Sequence, residues 1–263
     1  MSAISAQGMI PFLRDGSFSG NIFVYDSLGS TNEHAKELAR SGAEHGTIVI
    51  ARSQTSGKGR RGRSFFSPPG HGIYMSLILH PPRLLYAQAF TTIFAAVAVC
   101  EAIEAVSGTR PRIKWVNDIF IDGKKVCGIL TETVADSNNT GKQLIILGIG
   151  INFSVPETGF PEDLSQVAGA IFASPDIPVT KDRLAAQVAN LILASQTFYS
   201  EKELLQEYRK RLLMLGEKIL VVGSSESYEA VAIDIDDAGH LLVENETGNI
   251  LRLSSGEISI RNP

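Results

Sequence analysis

A cluster of cations occupies one glycine-rich stretch of the chain, GKGRRGRSFFSPPG at residues 57–70, termed the basic loop. Its cationic side chains are Lys58, Arg60, Arg61 and Arg63. Guanidinium groups form forked hydrogen bonds with phosphate oxygens and neutralise their charge. Because glycine is entropically costly to order, we expect the loop to be mobile until an anion, with phosphate the leading candidate, binds and orders it.

The basic loop also matches GxGxxG, the fingerprint of dinucleotide-binding loops, at residues 57–62. That fingerprint requires a helix to begin at the glycines, and Pro68-Pro69 prevent a helix from running through the next residues. The loop also lacks the GK[ST] ending of a Walker A motif. Two other interpretations stay open: a solvated surface loop, and a nucleic-acid contact for which Phe65-Phe66 is the only aromatic interleaving.

A second polar cluster follows an apolar strand in IKWVNDIF, residues 113–120. Lys114 stands near Asn117 and Asp118, whose oxygens suit a complex of a metal ion with a nucleotide. Asp118 could equally be a turn residue. Trp115 is the single tryptophan of the chain, and the sequence leaves open whether it belongs to the core or to this cluster.

Lys125 follows a predicted hairpin turn at Asp122-Gly123 and precedes the apolar run VCGIL. Adjacent side chains of a strand point to opposite faces, so either Lys124 or Lys125 faces inward. An inward lysine is costly unless it meets an anion, which makes Lys125 a candidate anion ligand. The alternative is a lysine at a sheet edge whose charged end reaches water.

The elements that hold these residues are predicted mostly as strands joined by turns. Strands are expected at 21–28, 47–52, 72–79, 111–115, 118–134 and 142–153, and helices at 30–42, 86–107 and 181–213. A capping box of Ser30 and Glu33 is expected to start the first helix. Because helices and strands do not alternate regularly, the predicted fold class is α+β.

The pattern changes at Gly216, after which short strands alternate with the turns DDAG and ETGN. This pattern predicts a small β-barrel of about 48 residues, a size that is marginal for independent folding. We therefore expect two domains, residues 1–215 and 216–263, and we expect the second to pack against the first for its stability.

The composition places this anion site in an acidic protein. The chain of 263 residues has 24 Lys+Arg against 28 Asp+Glu, a net charge of −4, which argues against general coating of nucleic acid. Cys100 and Cys127 are too few for a disulfide framework, and no cysteine or histidine spacing fits a metal site. The apolar run at 89–99 is too short to span a bilayer and no signal peptide is visible, so we expect a reduced, cytoplasmic setting without a membrane partner.

Six blocks of the chain resemble, in order, those of biotin protein ligases, the enzymes that attach biotin to carboxylase carrier domains. The blocks are STN (30–32), QTSGKGRRGRSFFSP (54–68), IYMSL (73–77), KWVND (114–118), KKVCGIL (124–130) and GIGIN (148–152). The resemblance implies a catalytic domain with a class II synthetase-like mixed sheet and helices on one side, plus a C-terminal SH3-like barrel. It also implies that the carboxylate of biotin attacks the α-phosphate of ATP to give biotinyl-5′-adenylate, from which a carrier lysine displaces AMP.

By this resemblance the residues that bind biotin and ATP are Ser30, Thr31, Asn32, Gln54, Lys58, Gly59, Arg60, Arg61, Arg63, Phe65, Lys114, Trp115, Asn117, Asp118, Lys125, Gly128 and Asn152. Lys125 and Arg60 carry the catalytic roles: Lys125 bridges the biotin carboxylate and the α-phosphate, and Arg60 is the main cation of the closing loop. The STN block and Gln54 match contacts to biotin, and Phe65 matches an aromatic residue beside the adenylate. Asn152 matches a position near the adenine.

Four positions depart from the family pattern. Lys58 replaces the commoner arginine, Val116 the proline of KWPND, Phe65 a tryptophan, and Gly72 an asparagine before IYMSL. Charge is kept at Lys58 although a forked contact is lost, and Gly72 makes the wall of the biotin pocket harder to predict. No departure removes a group that the reaction requires.

The resemblance implies biotin and ATP as substrates, Mg²⁺ with the ATP, and a biotin carboxyl carrier domain as partner. It is compatible with a weak or ligand-dependent homodimer. About 20 residues precede the first strand, too few for a helix-turn-helix module, so we expect a ligase that binds no DNA. The alternatives are a lipoate–protein ligase or octanoyltransferase, which lack the GRRGR loop, and a nucleic-acid-binding protein.

Overall fold

The computed structural model of the protein describes residues 3–14, 21–80, 88–135, 143–174, 176–194, 200–222, 227–254 and 257–260. Its first seven strands are β1 (Ile22–Tyr25), β2 (Ile48–Ala51), β3 (Gly72–Leu79), β4 (Arg112–Lys114), β5 (Asp118–Ile121), β6 (Lys124–Ala135) and β7 (Gln143–Asn152). These strands form one mixed sheet in the order β1-β2-β3-β7-β6-β5-β4. β1 and β2 pair in parallel, whereas the other neighbours pair antiparallel.

The strands of this sheet lie where the sequence predicts them. The hairpin turn predicted at Asp122-Gly123 is confirmed: the two residues have positive φ angles of 48° and 73°, as a two-residue turn between antiparallel strands requires. The turn predicted before β7, at 136–141, lies outside the described residues. Local turn chemistry and β-branched runs therefore place each strand of this sheet, although β1 ends at Tyr25 and not at the predicted residue 28.

The helices cover both faces of this sheet. They are α1 (Ala6–Met9), α2 (Thr31–Arg40), α3 (Gln88–Ser107), α4 (Lys181–Ala194) and α5 (Glu201–Arg211). On one face, Ala35 and Ala39 of α2 pack in a cluster with Val49, Ile78 and Ile146. The other four helices share the larger core of the opposite face. The α+β class is thus confirmed, and the expectation of helices on one side holds for these four while α2 lies on the other face.

The single long helix predicted at 181–213 is two helices, α4 and α5. A capping box begins α5: the Ser200 hydroxyl accepts the Glu203 backbone N–H, and the Glu203 carboxylate accepts the Ser200 backbone N–H. These contacts satisfy amide groups that the first turn of a helix leaves without partners. The spacing that marks this start is visible in the sequence as SEKE, residues 200–203.

α3 is apolar around its whole circumference. Among the described residues it is the one helix long and apolar enough to cross a membrane, in the window Phe90–Ser107, and 72% of that window is buried inside the protein. The sheet lies on one side of α3, and α4 and α5 pack against it as well, an arrangement expected of a core helix. The predicted end of this helix is confirmed, since Gly108 follows it with a φ of 71°, as is common just after the last residue of a helix.

The C-terminal unit is a second, antiparallel sheet. Its strands are β8 (Lys218–Val222), β9 (Ser227–Ile235), β10 (Leu241–Asn245), β11 (Ile250–Leu253) and β12 (Glu257–Ile260). Their order in the sheet is β11-β10-β9-β8-β12. The predicted turns DDAG and ETGN connect β9 to β10 and β10 to β11. The predicted small C-terminal unit of short strands joined by turns is therefore confirmed.

The C-terminal unit packs directly on the larger one, and the two share a continuous core. Trp115 Nε1 donates to the Gly239 carbonyl at 3.0 Å, and Arg209 Nε lies 2.5 Å from Asp234 Oδ1. Gly239 has a φ of 78°, and a Cβ at this position would overlap Ile93 Cδ1 on α3. The turn between β9 and β10 is therefore packed closely between the two units.

Gly239→Ala should destabilise the protein strongly. The added methyl would overlap Ile93, and the alanine would have to adopt a left-handed backbone conformation. Together these two effects cost about 2–4 kcal/mol of unfolding free energy. Gly248→Ala is the matched control, because Gly248 has a φ of 80° but the nearest contact for a Cβ lies 3.9 Å away. We expect the control to lose about 1–2 kcal/mol. Urea unfolding measures both variants, and equal losses would contradict the docking of this turn.

Candidate active site

A cavity of about 160 Å³ lies between the start of α2, the basic loop and strands β5, β6 and β7. The predicted site residues that line it are Ser30, Thr31, Asn32, Gln54, Lys58, Gly59, Arg60, Arg61, Arg63, Phe65, Lys114, Trp115, Asn117, Asp118, Lys125 and Gly128. Asn152 is the predicted site residue that lies outside this lining. The fold therefore gathers segments that are far apart in the sequence around one space.

Glycine forms the floor of this cavity. Gly128 of β6 pairs with Gly150 of β7, two residues from Gly148 on the same strand. A Cβ at Gly148 would overlap the Asn32 carboxamide, and a Cβ at Gly150 would lie 2.6 Å from the Phe65 ring. These glycines allow α2 and the basic loop to approach the sheet closely, and a larger residue would push both away.

Lys125 faces the cavity because β6 contains a bulge. The pairing of β5 with β6 slips by one residue after Ile119, which leaves Val126 as an extra residue in β6. A bulge interrupts the alternation of side chains between the two faces of a sheet. Lys125 consequently shares a face with Gly128, where a Cβ would lie 3.3 Å from Lys125 Nζ.

The two adjacent lysines have different partners. Lys125 Nζ lies 2.7 Å from Asp118 Oδ1, and both side chains are about two-thirds buried. Lys124 Nζ instead donates to the carbonyl oxygens of Ser165 and Gln166, at 3.2 and 2.5 Å. Lys125 is therefore the lysine of the pair that reaches the cavity, where an incoming anion would compete with Asp118 for it.

Arg60 reaches from the basic loop to the KWVND segment. Its Nη1 donates to Asn117 Oδ1 at 3.0 Å, and Asn117 Nδ2 donates to the Ile129 carbonyl at 2.8 Å. Burial lowers the pKa of the Arg60 guanidinium, and the charge of Asp118 partly offsets this effect. Arg61 has a positive φ of 56°, so the backbone turns back just after Arg60. The Arg60 guanidinium, which the sequence predicts to bind phosphate, is thus held here by the neutral amide oxygen of Asn117.

Glu33 connects the basic loop to α2. Its Oε1 accepts from Lys36 Nζ at 2.8 Å and from Lys58 Nζ at 2.7 Å, and these hydrogen bonds, the one from Lys36 first, lower the Glu33 pKa to about 2. The capping box predicted for Ser30 and Glu33 is therefore wrong: Ser30 makes no side-chain cap hydrogen bond, and the Glu33 carboxylate accepts from the two lysines instead of from the Ser30 backbone N–H. Lys36 continues this network to Glu132 Oε1 at 2.6 Å.

A buried serine that was not among the predicted site residues holds the STN block in place. Ser76 on β3 is fully buried, and its Oγ lies 2.8 Å from Thr31 Oγ1 and 2.6 Å from Asn32 Oδ1. Gln54 Oε1 accepts the Thr31 backbone N–H at 2.8 Å, and Asn32 Nδ2 donates to Glu132 Oε2 at 2.8 Å. The sequence signal for Ser76 is a lone serine inside the apolar strand GIYMSLIL.

Trp115 and Asn152 each donate a hydrogen bond to a backbone carbonyl of another segment. Trp115 is only 5% exposed and donates to Gly239, yet it also lines the cavity, so both interpretations left open by the sequence apply to it. Asn152 Nδ2 donates to the carbonyl oxygens of Gly169, at 2.8 Å, and Lys125, at 3.5 Å. Asn152 therefore fixes the segment that pairs with the start of β6, and acts on the backbone rather than facing the cavity.

The lining of the cavity is strongly cationic. Its six cationic side chains are Lys58, Arg60, Arg61, Arg63, Lys114 and Lys125, and its carboxylate is Asp118. Within the part of the chain that the structure describes, no group of three or more His, Cys, Asp or Glu side chains could hold a metal ion. A Mg²⁺ ion at this cavity would therefore be held mainly by phosphates and water, with Asn117 and Asp118 as the nearby oxygen donors of the chain.

Family models match the two parts of the chain separately. Residues 24–152 match the Biotin/lipoate A/B protein ligase family, and residues 214–261 match the Biotin protein ligase C terminal domain. The first match contains the site described above, and the second contains the C-terminal sheet. The fold and the site together define a ligase of this class.

Individual relatives narrow the class further. A bifunctional ligase/repressor BirA of Bacillus spizizenii is 35% identical over 251 residues, 92% of this chain and 74% of that protein. A biotin–[acetyl-CoA-carboxylase] ligase of Paracoccus denitrificans is 33% identical over 227 residues, 83% of this chain and 92% of that protein. The solved biotin protein ligase of Aquifex aeolicus in complex with biotin and ATP is 27% identical, with a TM-score of 0.75, over 92% of this chain and 99% of that one. The chain belongs to the biotin protein ligases.

Glu33→Gln should lower stability at neutral pH, and the loss should fade in acid. The folded-state pKa of Glu33, about 2, lies below its ordinary value of 4.5. The carboxylate therefore contributes its full stabilisation above about pH 4.5 and loses it as the pH falls toward about 2. Because the side chain is 42% exposed, solvent screening limits the effect to about 0.5–1 kcal/mol.

Urea unfolding between about pH 7 and pH 3 measures this contribution. Glu37→Gln is the matched control, since Glu37 lies on the same helix and contacts His34 rather than the basic loop. A stability difference between Glu33→Gln and the unmutated protein that stays constant over this range would contradict the ion pairs described here.

Proposed function

We propose that this protein activates biotin with Mg²⁺-bound ATP to biotinyl-5′-adenylate and transfers the biotinyl group to a lysine of a biotin carboxyl carrier domain. The observation that carries this proposal is the convergence of six cationic side chains on one cavity in a chain of net charge −4. The two reacting groups, a carboxylate and a triphosphate, are both anions. Their approach requires preorganised positive charge at the point of reaction.

In the first step a carboxylate oxygen of biotin forms a bond to the α-phosphorus of ATP. The bond from that phosphorus to the bridging oxygen of the β-phosphate breaks, and pyrophosphate leaves with the bonding electrons. Lys125 stabilises the carboxylate and the α-phosphate together, taking them in place of Asp118. Arg60 exchanges the Asn117 oxygen for a phosphate oxygen, because a hydrogen bond between two oppositely charged groups is stronger than one from the same guanidinium to a neutral amide.

In the second step the carrier lysine, as the neutral amine, attacks the acyl carbon of the adenylate. The bond from that carbon to the phosphate oxygen breaks, AMP leaves, and the proton of the amine passes to solvent. Water competes with the lysine for the same carbon, so a covering loop protects the intermediate. The Lys58–Glu33 contact and the contact of Arg60 with the phosphate hold the basic loop over the cavity in this way.

Biotin is favoured over lipoate as the substrate. The Paracoccus denitrificans relative is named for biotin, and the Aquifex aeolicus structure holds biotin and ATP. The match of residues 214–261 to the Biotin protein ligase C terminal domain adds independent support. The absence of DNA binding and a weak or ligand-dependent homodimer stay predictions.

We keep the division into residues 1–215 and 216–263, supported by the C-terminal family match from residue 214 and by the start of β8 at Lys218. The proposed setting is a reducing cytoplasm. Cys100 and Cys127 are buried free thiols, and burial raises the pKa of Cys100 to about 12. Thiols of this kind are protonated and chemically inert at neutral pH.

A transfer assay tests the proposed reaction. The protein is incubated with labelled biotin, Mg-ATP and a biotin carrier domain, and both pyrophosphate and label on the carrier are followed. A carrier whose target lysine is replaced by arginine is the control, and should allow pyrophosphate release without label transfer. Transfer of labelled lipoate but not of biotin would overturn the assignment of the substrate.

Lys125→Ala should slow adenylate formation by roughly 100- to 1,000-fold, which corresponds to about 3–4 kcal/mol for one preorganised charge at the reacting oxygens. Lys124→Ala is the matched control, because its side chain points away from the cavity to backbone carbonyls. Biotin-dependent pyrophosphate release measures both variants. Near-normal release by folded Lys125→Ala protein would exclude the assigned role.

Residues 57–66 of the basic loop should exchange their amide hydrogens quickly without substrates and slowly once biotin and ATP are bound. Arg60→Gly should form an adenylate that escapes into solution roughly 10- to 100-fold faster, since the closed loop loses a charged hydrogen bond. Hydrogen exchange over residues 57–66, with β7 as internal reference, measures closure. Equally slow exchange with and without substrates would contradict a loop that closes on its ligand.

Truncation after Leu215 should weaken ATP use and carrier biotinylation more than biotin binding. The cut removes Gly239 and leaves the buried Trp115 indole N–H unpaired next to Asn117 and Asp118. Trp115→Phe isolates this contact, because it keeps a ring but removes the N–H. Calorimetry for biotin and KM for ATP separate the two effects, and a folded truncated protein that biotinylates the carrier at the full rate would show that the C-terminal unit is dispensable.

A further inference from the structure

Tyr74 lies beneath the basic loop and outside the lining of the cavity. It is only 1% exposed, and its hydroxyl donates to the Pro68 carbonyl at 2.8 Å. Its ring meets the Phe65 ring edge-on, with 6.4 Å between centroids and 69° between planes. Phe65 in turn packs over the position of Gly150 and beside Gly128. One buried side chain thus supports both the base of the basic loop and the aromatic residue that the loop presents.

Gly72 provides the space that Tyr74 occupies. The two residues lie on the same face of β3, two positions apart. A Cβ at Gly72 would overlap the Cζ and hydroxyl oxygen of Tyr74. The departure from asparagine at Gly72 therefore has a spatial explanation, because the tyrosine ring fills the volume that a side chain would take.

A second buried donor holds the loop two residues further along. Lys181, at the start of α4, is 5% exposed, and its Nζ donates to the Gly70 carbonyl at 2.5 Å. Burial lowers the pKa of Lys181, and Asp182 partly offsets this effect. Because a buried ammonium group is costly without a partner, breaking this hydrogen bond is unfavourable, and Gly70 is held at the start of α4. The end of the basic loop is thereby fixed from both faces of the sheet.

We infer that Tyr74 is a positioning residue for the reaction. Together with Lys181 it fixes the C-terminal base of the basic loop, so that residues 57–66 close about a rigid end. It also sets the Phe65 ring over the glycine floor beside Lys125. The consequence for adenylate retention rests on the proposed function, whereas the support of the loop base does not.

Tyr74→Phe tests the support of the loop base, since it keeps the ring and removes the hydroxyl. Tyr25→Phe is the matched control, because the Tyr25 hydroxyl bonds to His34 Nε2 at 2.9 Å on another part of the surface. In the protein without substrates, amide exchange over residues 67–71 should rise about fivefold in Tyr74→Phe and stay unchanged in Tyr25→Phe. Unchanged exchange in Tyr74→Phe would overturn the inference, whether or not the proposed reaction is found.

Gly72→Ala tests the role of space. With Tyr74 present, the added methyl should displace the ring and raise both the exchange over residues 67–71 and the release of adenylate about fivefold. In a Tyr74→Ala background the same change should have little effect. Equal effects of Gly72→Ala in both backgrounds would overturn the spatial argument.

Adenylate release is measured with biotin and Mg-ATP in the absence of carrier. Tyr74→Phe should release adenylate faster while its affinity for biotin stays unchanged, a split that a general loss of stability would not produce. Weaker biotin binding with unchanged adenylate release would overturn the positioning role.

Discussion

Like charges repel most strongly where water is scarce, and this protein directs six cationic side chains at one cavity. Three of them rest on acceptors of the chain itself. Lys58 is bound by Glu33, Lys125 by Asp118, and Arg60 by the amide oxygen of Asn117. The positive charge is therefore tolerated before substrates bind, and an anionic substrate can replace the resting acceptor of Lys125 or Arg60. The charge of the site and the stability of the fold depend on the same contacts.

The site also depends on glycine residues, which have no side chain. Gly148 and Gly150 let α2 and the basic loop reach the sheet, and Gly72 leaves room for Tyr74. Gly239 does the same at the junction with the C-terminal unit. Glycine in a strand normally weakens it, and here that cost is offset by the close approach of buried neighbours. Positions without a side chain thus decide how tightly the loop, the helix and the two sheets fit together.

Much of this arrangement could be predicted because it is recorded in short-range patterns. Runs of β-branched residues marked the strands, and Asp122-Gly123 marked a turn whose two positive φ angles few other residue pairs accept. The cations of the basic loop and the ordered blocks around it indicated both the reaction and the residues that meet at the cavity. The start of α5 was also recorded locally, in the capping box at Ser200, although amphipathic periodicity alone suggested one continuous helix.

The sequence by itself therefore determined most of the elements, their order, the anion chemistry and the family. Only the tertiary structure decided which groups face one another. The bulge at Val126 turns Lys125 toward the cavity, and the position of α2 brings Glu33 to Lys58 instead of to the helix start. Ser76 and its partners on α2 likewise meet only when β3 passes beneath that helix. The physical reason is that propensity and periodicity report on neighbours along the chain, whereas strand register and packing bring together side chains that are tens of residues apart.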